Sequence, residues 1–287
     1  MTASPPLSGS LLLVALEGWT DAGDAASGAL AFLREHRAYS RQLTIDSDPF
    51  IDYQFTRPVI TRDADGSSDI RYPEIVVYRD NVAERTTALH LLTGPEPARR
   101  WRQLTDTLMA SISDLGVTGV IFLGALLADA PHTRPIAIHI TSENAEVQRH
   151  YDIEPSSYEG PVGYLTVLAH AVEELGIPGV TIWASVPHYA HGTPSPKAAS
   201  ALIKKIEQLT GAEIPHGDLD QESQLWETTL NTLAAEDGDL GEYVRRLETA
   251  RDSEDPPSAS GDAIAAEIEK YLKRKDDRRG FGHPPLD

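Results

Sequence analysis

The sequence contains no cysteine. Disulfides, thiolate metal sites and a cysteine nucleophile are excluded together. An excess of positive charge is equally absent, since 25 lysines and arginines face 44 aspartates and glutamates and the formal net charge is −19. A surface this acidic repels phosphate backbones and anionic lipid headgroups, so no nucleic-acid or membrane partner is expected. Long hydrophobic runs are missing too. The longest, Val120 to Ala128, has nine residues, against roughly 20 for a spanning helix. The opening MTASPPLSGS has no basic residue ahead of Leu11–Leu16, and that run is too short for a signal-peptide core. The expected location is the cytoplasm. G-x-S-x-G, H-E-x-x-H, the dinucleotide-binding glycine fingerprint and a lysine-bearing phosphate loop are all missing, so hydrolase and dehydrogenase readings lack their signature chemistry. No cofactor is expected.

What remains is an alternation of strands and helices. Leu11–Leu16 is a continuous apolar run, as in a strand covered on both faces of a parallel sheet. Ala22–Glu35 reads as a helix. Ile75–Tyr78, Ala88–Leu92, Val120–Leu123, Pro135–Ile140 and Val180–Ser185 read as further strands, with helices over Pro97–Leu115, Gly163–Leu175 and Pro196–Leu209. This order predicts a layered α/β fold, a mostly parallel sheet flanked by helices. The stretch from Leu115 to Val120 is echoed from Leu175 to Val180, with a glycine placed to cap a helix and a second glycine opening a strand. Each strand then runs into a Pro-His pair, Pro131-His132 and Pro187-His188. Parallel strands place both turns on one rim, outside the carboxyl ends of the sheet, where open α/β sheets bind ligands.

Residues 1–213 are expected to form this core, 214–275 a C-terminal helical segment on or beyond it, and 276–287 a disordered tail. Asp218–Ala234 and Leu240–Arg251 have the spacing of amphipathic helices, the first with Leu219, Leu225, Trp226, Leu230 and Leu233 on one stripe. Asp252–Gly261 has the composition of a linker. Asp262–Lys275 places Ile264, Ile268, Tyr271 and Leu272 on one helical face, and Lys270–Arg279 carries six basic and two acidic residues, a local +4 on a chain otherwise near −23. That asymmetry suits intramolecular docking or self-association, or a solvated helix end.

Three places carry residues with chemistry. Gly18-Trp19-Thr20-Asp21-Ala22-Gly23 has the glycine spacing of a phosphate loop, but Asp24-Ala25 follows where lysine and a hydroxyl belong. Carboxylates at a helix N-terminus use the donors that a phosphate would take. The loop therefore reads as structural, with Asp21 a helix cap, Trp19 a packing anchor and Gly23 part of the turn. Asp129, His132 and Arg134 form the densest polar cluster on the rim. Together they suit proton and anion handling, or a loop whose His and Arg bond to backbone carbonyls and to Asp129. His188 and His191 lie on a turn that lacks a third ligand, a poor platform for a metal. Ser142-Glu143-Asn144 reads as a helix-capping element.

Several blocks in order are familiar: Gly18–Gly23, Tyr53-Gln54, Arg57-Pro58, Gly94–Pro97, Gly124–Asp129, Pro131–Pro135, Tyr158–Pro161 and Trp183–Tyr189. With them the chain resembles the actinobacterial branch of the proteasome assembly chaperone family, from about Leu11 to Leu272. The resemblance implies a phosphorylase/hydrolase-like core, self-assembly into a homo-oligomer and a non-catalytic role binding proteasome-related or other protein clients; separately, a trimer is the order expected. Some relatives dock through a tail of hydrophobic residue, tyrosine and any residue, whereas this chain ends Pro285-Leu286-Asp287 with leucine at the tyrosine position. The alternative is a small-molecule binder or enzyme of nucleoside or anion type on the rim, in which Arg134 grips an anion, His132 or His188 moves a proton, and Asp129 or Glu159 orients the imidazole.

Overall fold

Strand β1 (Ser10–Glu17) explains its own unbroken apolar run. Leu11, Leu13 and Ala15 enter one hydrophobic core, and Leu12, Val14 and Leu16 enter a second on the opposite face. A strand needs such a sequence only where helices cover both of its sides. The computed structural model describes residues 6–63, 65–81, 87–156 and 158–253. In it β1 pairs in parallel with β6 (Ala88–Pro95) and β7 (Gly119–Ala128), and β7 with β9 (Gly179–Pro187). Antiparallel strands complete both sides. β5 (Ile75–Asp80) lies on β6 and β2 (Tyr39–Ile45) on β5, while β8 (Ile138–Thr141) lies on β9. The order is β2-β5-β6-β1-β7-β9-β8.

Helices α1 (Ala25–His36) and α5 (Pro196–Thr210) bury Leu30, Leu33, Leu202 and Ile206 in the first core. Helices α2 (Trp101–Asp114) and α4 (Tyr164–Glu174) bury Leu104, Leu108, Leu165 and Leu168 in the second. The chain is thus the expected mostly parallel, three-layered α/β fold, with its antiparallel strands confined to the flanks. The repeated glycine motif behaves as its sequence implies: Gly116 after α2 and Gly176 after α4 take φ of +64° and +70°, a region that costs side-chain-bearing residues energy.

Helices α6 (Leu219–Glu236) and α7 (Gly238–Ser253) follow. The expected single stripe on α6 splits, because Leu219, Trp226 and Leu230 turn inward while Leu225 and Leu233 stay 67% and 47% exposed. Asp252 and Ser253, expected in a linker, are the last residues of α7. The rest of that linker, the Asp262–Lys275 helix and the 276–287 tail lie outside the described residues. Helix α3 (Ala145–Tyr151) is capped by Asn144, whose side chain accepts from the Glu146 and Val147 amides, as the Ser-Glu-Asn motif suggests. A separate antiparallel pair, β3 (Val59–Arg62) with β4 (Ser68–Arg71), has no counterpart in the sequence reading. Val59, Ile60 and Ile70 on it are more than half exposed, and Phe55 beside it is 86% exposed.

Candidate functional site

The parallel pairing of β7 and β9 sets Ala128 beside Pro187 at the ends of the two strands. The two Pro-His turns therefore share one rim, and their side chains meet. Tyr189 Oη accepts from the His132 amide at 2.8 Å and lies 2.8 Å from His132 Nδ1. Asn231 Oδ1, on the other side of the ring, can only accept, so Nε2 carries the hydrogen and Nδ1 accepts from the phenol. Nε2 faces Asn231 Oδ1 of α6 at 3.3 Å, which completes the ring's bonding. His132 is 0% exposed. Burial holds its pKa below the ordinary imidazole value and pushes the Tyr189 phenol up to about 12. Both are neutral near pH 7.

Arg134 turns to α7. Its Nε and Nη2 form a fork with the two oxygens of Asp252 at 2.9 and 2.8 Å, and Nη1 reaches Glu248 at 3.1 Å. Two carboxylates thus fill the guanidinium edges that an anionic ligand would need. Asp129 accepts from Tyr243 Oη of α7 at 3.1 Å and faces His188 Nδ1 at 3.5 Å. Lys197 of α5 donates to the His132 carbonyl at 2.6 Å and pairs with Glu227 of α6. Asp129, His132, Arg134 and His188 are therefore gathered on one rim, and α6 and α7 close over them. Glu159 is not among them: it stands exposed on the loop before α4 and shares none of these contacts. No cluster of three or more histidines and carboxylates able to hold a metal occurs among the described residues. His191 instead bonds the His188 carbonyl at 2.7 Å.

The covering residues Tyr189, Asn231, Tyr243, Glu248 and Asp252 are not singled out as site residues by any motif in the sequence. A faint signal existed. Glu248 and Asp252 are four apart, on one helical face, and so point the same way.

The Gly18–Gly23 loop also turns inward. Ala22–Asp24, at its end, form one 3-10 turn, so α1 starts at Ala25 instead of Ala22. Asp21 Oδ1 accepts from the Ala26 and Ser27 amides at 2.7 and 3.1 Å, so the carboxylate bonds to free amides of the first turn from outside the helix. Trp19 is half-buried against Gly163, where an added Cβ would lie 2.9 Å from the indole. The Gly23 carbonyl accepts from Ser195 at 2.7 Å, and a Cβ there would meet Ser195 at 3.1 Å. The loop's capacity is spent on packing.

Burial, opposed in part by those amides, raises the Asp21 pKa from 3.8 to about 6. A raised native pKa means that the folded state keeps its proton longer. The contribution to stability is complete below about pH 4 and lost as pH rises through about 6, with a cost of about 3 kcal/mol above that. Asp21→Asn keeps the accepting oxygen and cannot ionise. Its stability relative to the parent, by urea unfolding, is expected to improve by about 2 to 3 kcal/mol between about pH 4 and about pH 7.5. A constant difference between the two proteins would show that Asp21 does not titrate in this way.

A second feature lies on the α1 side of α6. A groove of about 890 Å³ runs between α1, the Thr193–Pro196 turn and α6, with Phe32, Trp226, Leu225 and Leu230 among its walls. A smaller hollow of about 410 Å³ lies beside Arg134, Ile136, His139 and Arg251.

The profile of the PAC2 family matches residues 15–234. No curated protein matches the chain. Among solved structures, a PAC2 family protein from Streptomyces avermitilis is 37% identical, with 82% of this chain and 100% of the other covered and a TM-score of 0.76. A proteasome-assembly chaperone homologue from Mycobacterium tuberculosis is 39% identical over 82% of this chain and 99% of its own, with a TM-score of 0.73. An archaeal homologue of proteasome-assembly chaperone from Pyrococcus furiosus shares the fold at 13% identity, with 86% and 97% covered and a TM-score of 0.54. No helix among the described residues is long and apolar enough to cross a membrane.

Proposed function

Because the chain belongs to the PAC2 family, we propose that it is a non-enzymatic, assembly-chaperone-like protein of the cytoplasm that self-associates and binds protein partners. The observation that carries this reading is the use of the rim. The groups best suited to chemistry there are bonded to the protein itself: His132 to Tyr189 and Asn231, Arg134 to Glu248 and Asp252. A reaction centre needs at least one such group aimed at a substrate. Exposed apolar side chains on and beside β3–β4 supply surface of the kind that protein partners cover. By analogy with the M. tuberculosis relative's description as a proteasome-assembly chaperone homologue, the client class is proteasome subunits.

The test combines purified chain with proteasome subunits during their assembly. A stoichiometric complex on size exclusion with light scattering is expected, together with an oligomer of the chain alone. A monomer that forms no complex with those subunits sinks the proposal. The competing small-molecule reading is addressed by thermal shift with nucleosides, purine bases and phosphate, where no stabilisation is expected. A ligand whose stabilisation disappears in Arg134→Ala would establish the rim as a binding site, since binding the native state raises its stability.

A further inference from the structure

We propose that the groove between α1 and α6 is the docking site of the chain's own basic segment, residues 262–279, bound within the same molecule. The groove pairs an apolar lining with a rim of one charge. Leu225 and Leu233 are exposed on its lip, Phe32 and Trp226 are nearly buried, and Asp24, Glu35, Asp218 and Glu222 surround them. No lysine or arginine lines it among the described residues, and His36 is its one basic group. Two polar atoms of the lining, Ser195 Oγ and Trp226 Nε1, are buried without a hydrogen-bond partner among the described residues.

The sequence of 262–279 has the complementary chemistry. Ile264, Ile268, Tyr271 and Leu272 recur at helical spacing, and six basic residues follow from Lys270 to Arg279. Apolar contacts would cover the leucines of the lip, and the lysines and arginines would meet the acidic rim. Nowhere else in the chain is positive charge so concentrated beside apolar residues at this spacing.

The distance is short enough. Asp252, at the end of α7, is bonded to Arg134. His132, two residues away, has its ring 6.4 Å from that of Trp226, which lines the groove. The groove therefore adjoins the rim at α6, the helix that carries both Asn231 and Trp226. The eight residues 254–261 span up to about 28 Å when extended. Docking within one molecule also gains from the high effective concentration of a tethered ligand. Such docking is independent of the proposed chaperone role.

The absence of native cysteine makes the test clean. In the full chain, Leu225→Cys combined with Ile268→Cys is compared under dilute oxidising conditions with a control pair, Ile60→Cys with Ile268→Cys. The groove pair is expected to form an intramolecular disulfide at least tenfold faster than the control. Adding Lys273→Glu, Arg274→Glu and Lys275→Glu should remove most of that advantage, as should raising the salt to about 1 M, where charge attraction is screened within about 3 Å. Equal rates for the two pairs would overturn the proposal. Disulfide-linked dimers in place of the intramolecular product would also overturn it and make a second copy the occupant.

Discussion

Replacing His132 by alanine is expected to lower stability by about 3 kcal/mol and to loosen α6 and α7 ahead of the rest of the protein. The side chain is entirely buried, and it ties its own turn to the Tyr189 turn and, through Asn231 and the Trp226 indole, to α6. Alanine removes the ring, opens a cavity beside Trp226 and leaves the Asn231 carbonyl without its donor, each a cost of about 1 to 3 kcal/mol. Hydrogen exchange should show the loss of protection first in Leu219–Glu236 and Gly238–Ser253. Urea unfolding should also show a weaker pH dependence. His132 is held below its ordinary pKa, so the unfolded chain takes up the proton more readily and the parent loses stability as pH falls below about 6.5. His90 and His139, also depressed by burial, keep slopes of the same sign in the variant. Arg134→Ala, at a partly exposed pair, is expected to cost less than His132→Ala. A His132→Ala protein as stable as the parent would show that the histidine is no structural hub.

A larger loss is expected nearer the β2 edge of the sheet. Arg37, just after α1, and Asp80, at the end of β5, form an ion pair in which both side chains are 1% exposed. Asp80 Oδ2 also accepts from the Leu89 amide at 3.1 Å, so one carboxylate oxygen joins the guanidinium to β6. Arg37 Nε and Nη1 are buried with no hydrogen-bond partner among the described residues, which makes the cation depend on Asp80. Asp80→Asn leaves that charge uncompensated in the interior and is expected to cost about 3 to 5 kcal/mol. Arg37→Met combined with Asp80→Asn removes the charge as well and should recover at least half of the loss. The readout is the urea midpoint at constant slope, which separates stability from a change in compactness. If the double variant is no better than Asp80→Asn alone, the damage does not come from the stranded cation.

The parallel centre of the sheet is legible in the sequence because strands covered on both faces carry an unmistakable pattern. Leu11–Leu16 and Val120–Leu123 have no polar alternation to obscure them. β2 is different. Its residues Ser40 to Gln42 are exposed, and it borders the sheet on one side only, so YSRQLTI shows neither alternation nor an apolar run. The β3–β4 pair buries so little that no periodicity is imposed on it. At the rim, the order of the Pro-His turns followed from the parallel strands, but the identity of what bonds them did not. Glu248 and Asp252 lie 114 and 118 residues beyond Arg134, and no local spacing couples positions so far apart. Arg134 looks the same in sequence whether it awaits an anion or already holds a helix.

The closure of the rim by α6 and α7 has a consequence for synthesis. The seven-stranded sheet is complete once Pro187 has emerged from the ribosome, but the helices that bind His132 and Arg134 are translated afterwards. At about 5 to 20 residues per second the nascent chain spends several seconds with those groups uncovered. During that interval the unfinished protein presents a polar, partly apolar ledge that the finished one does not.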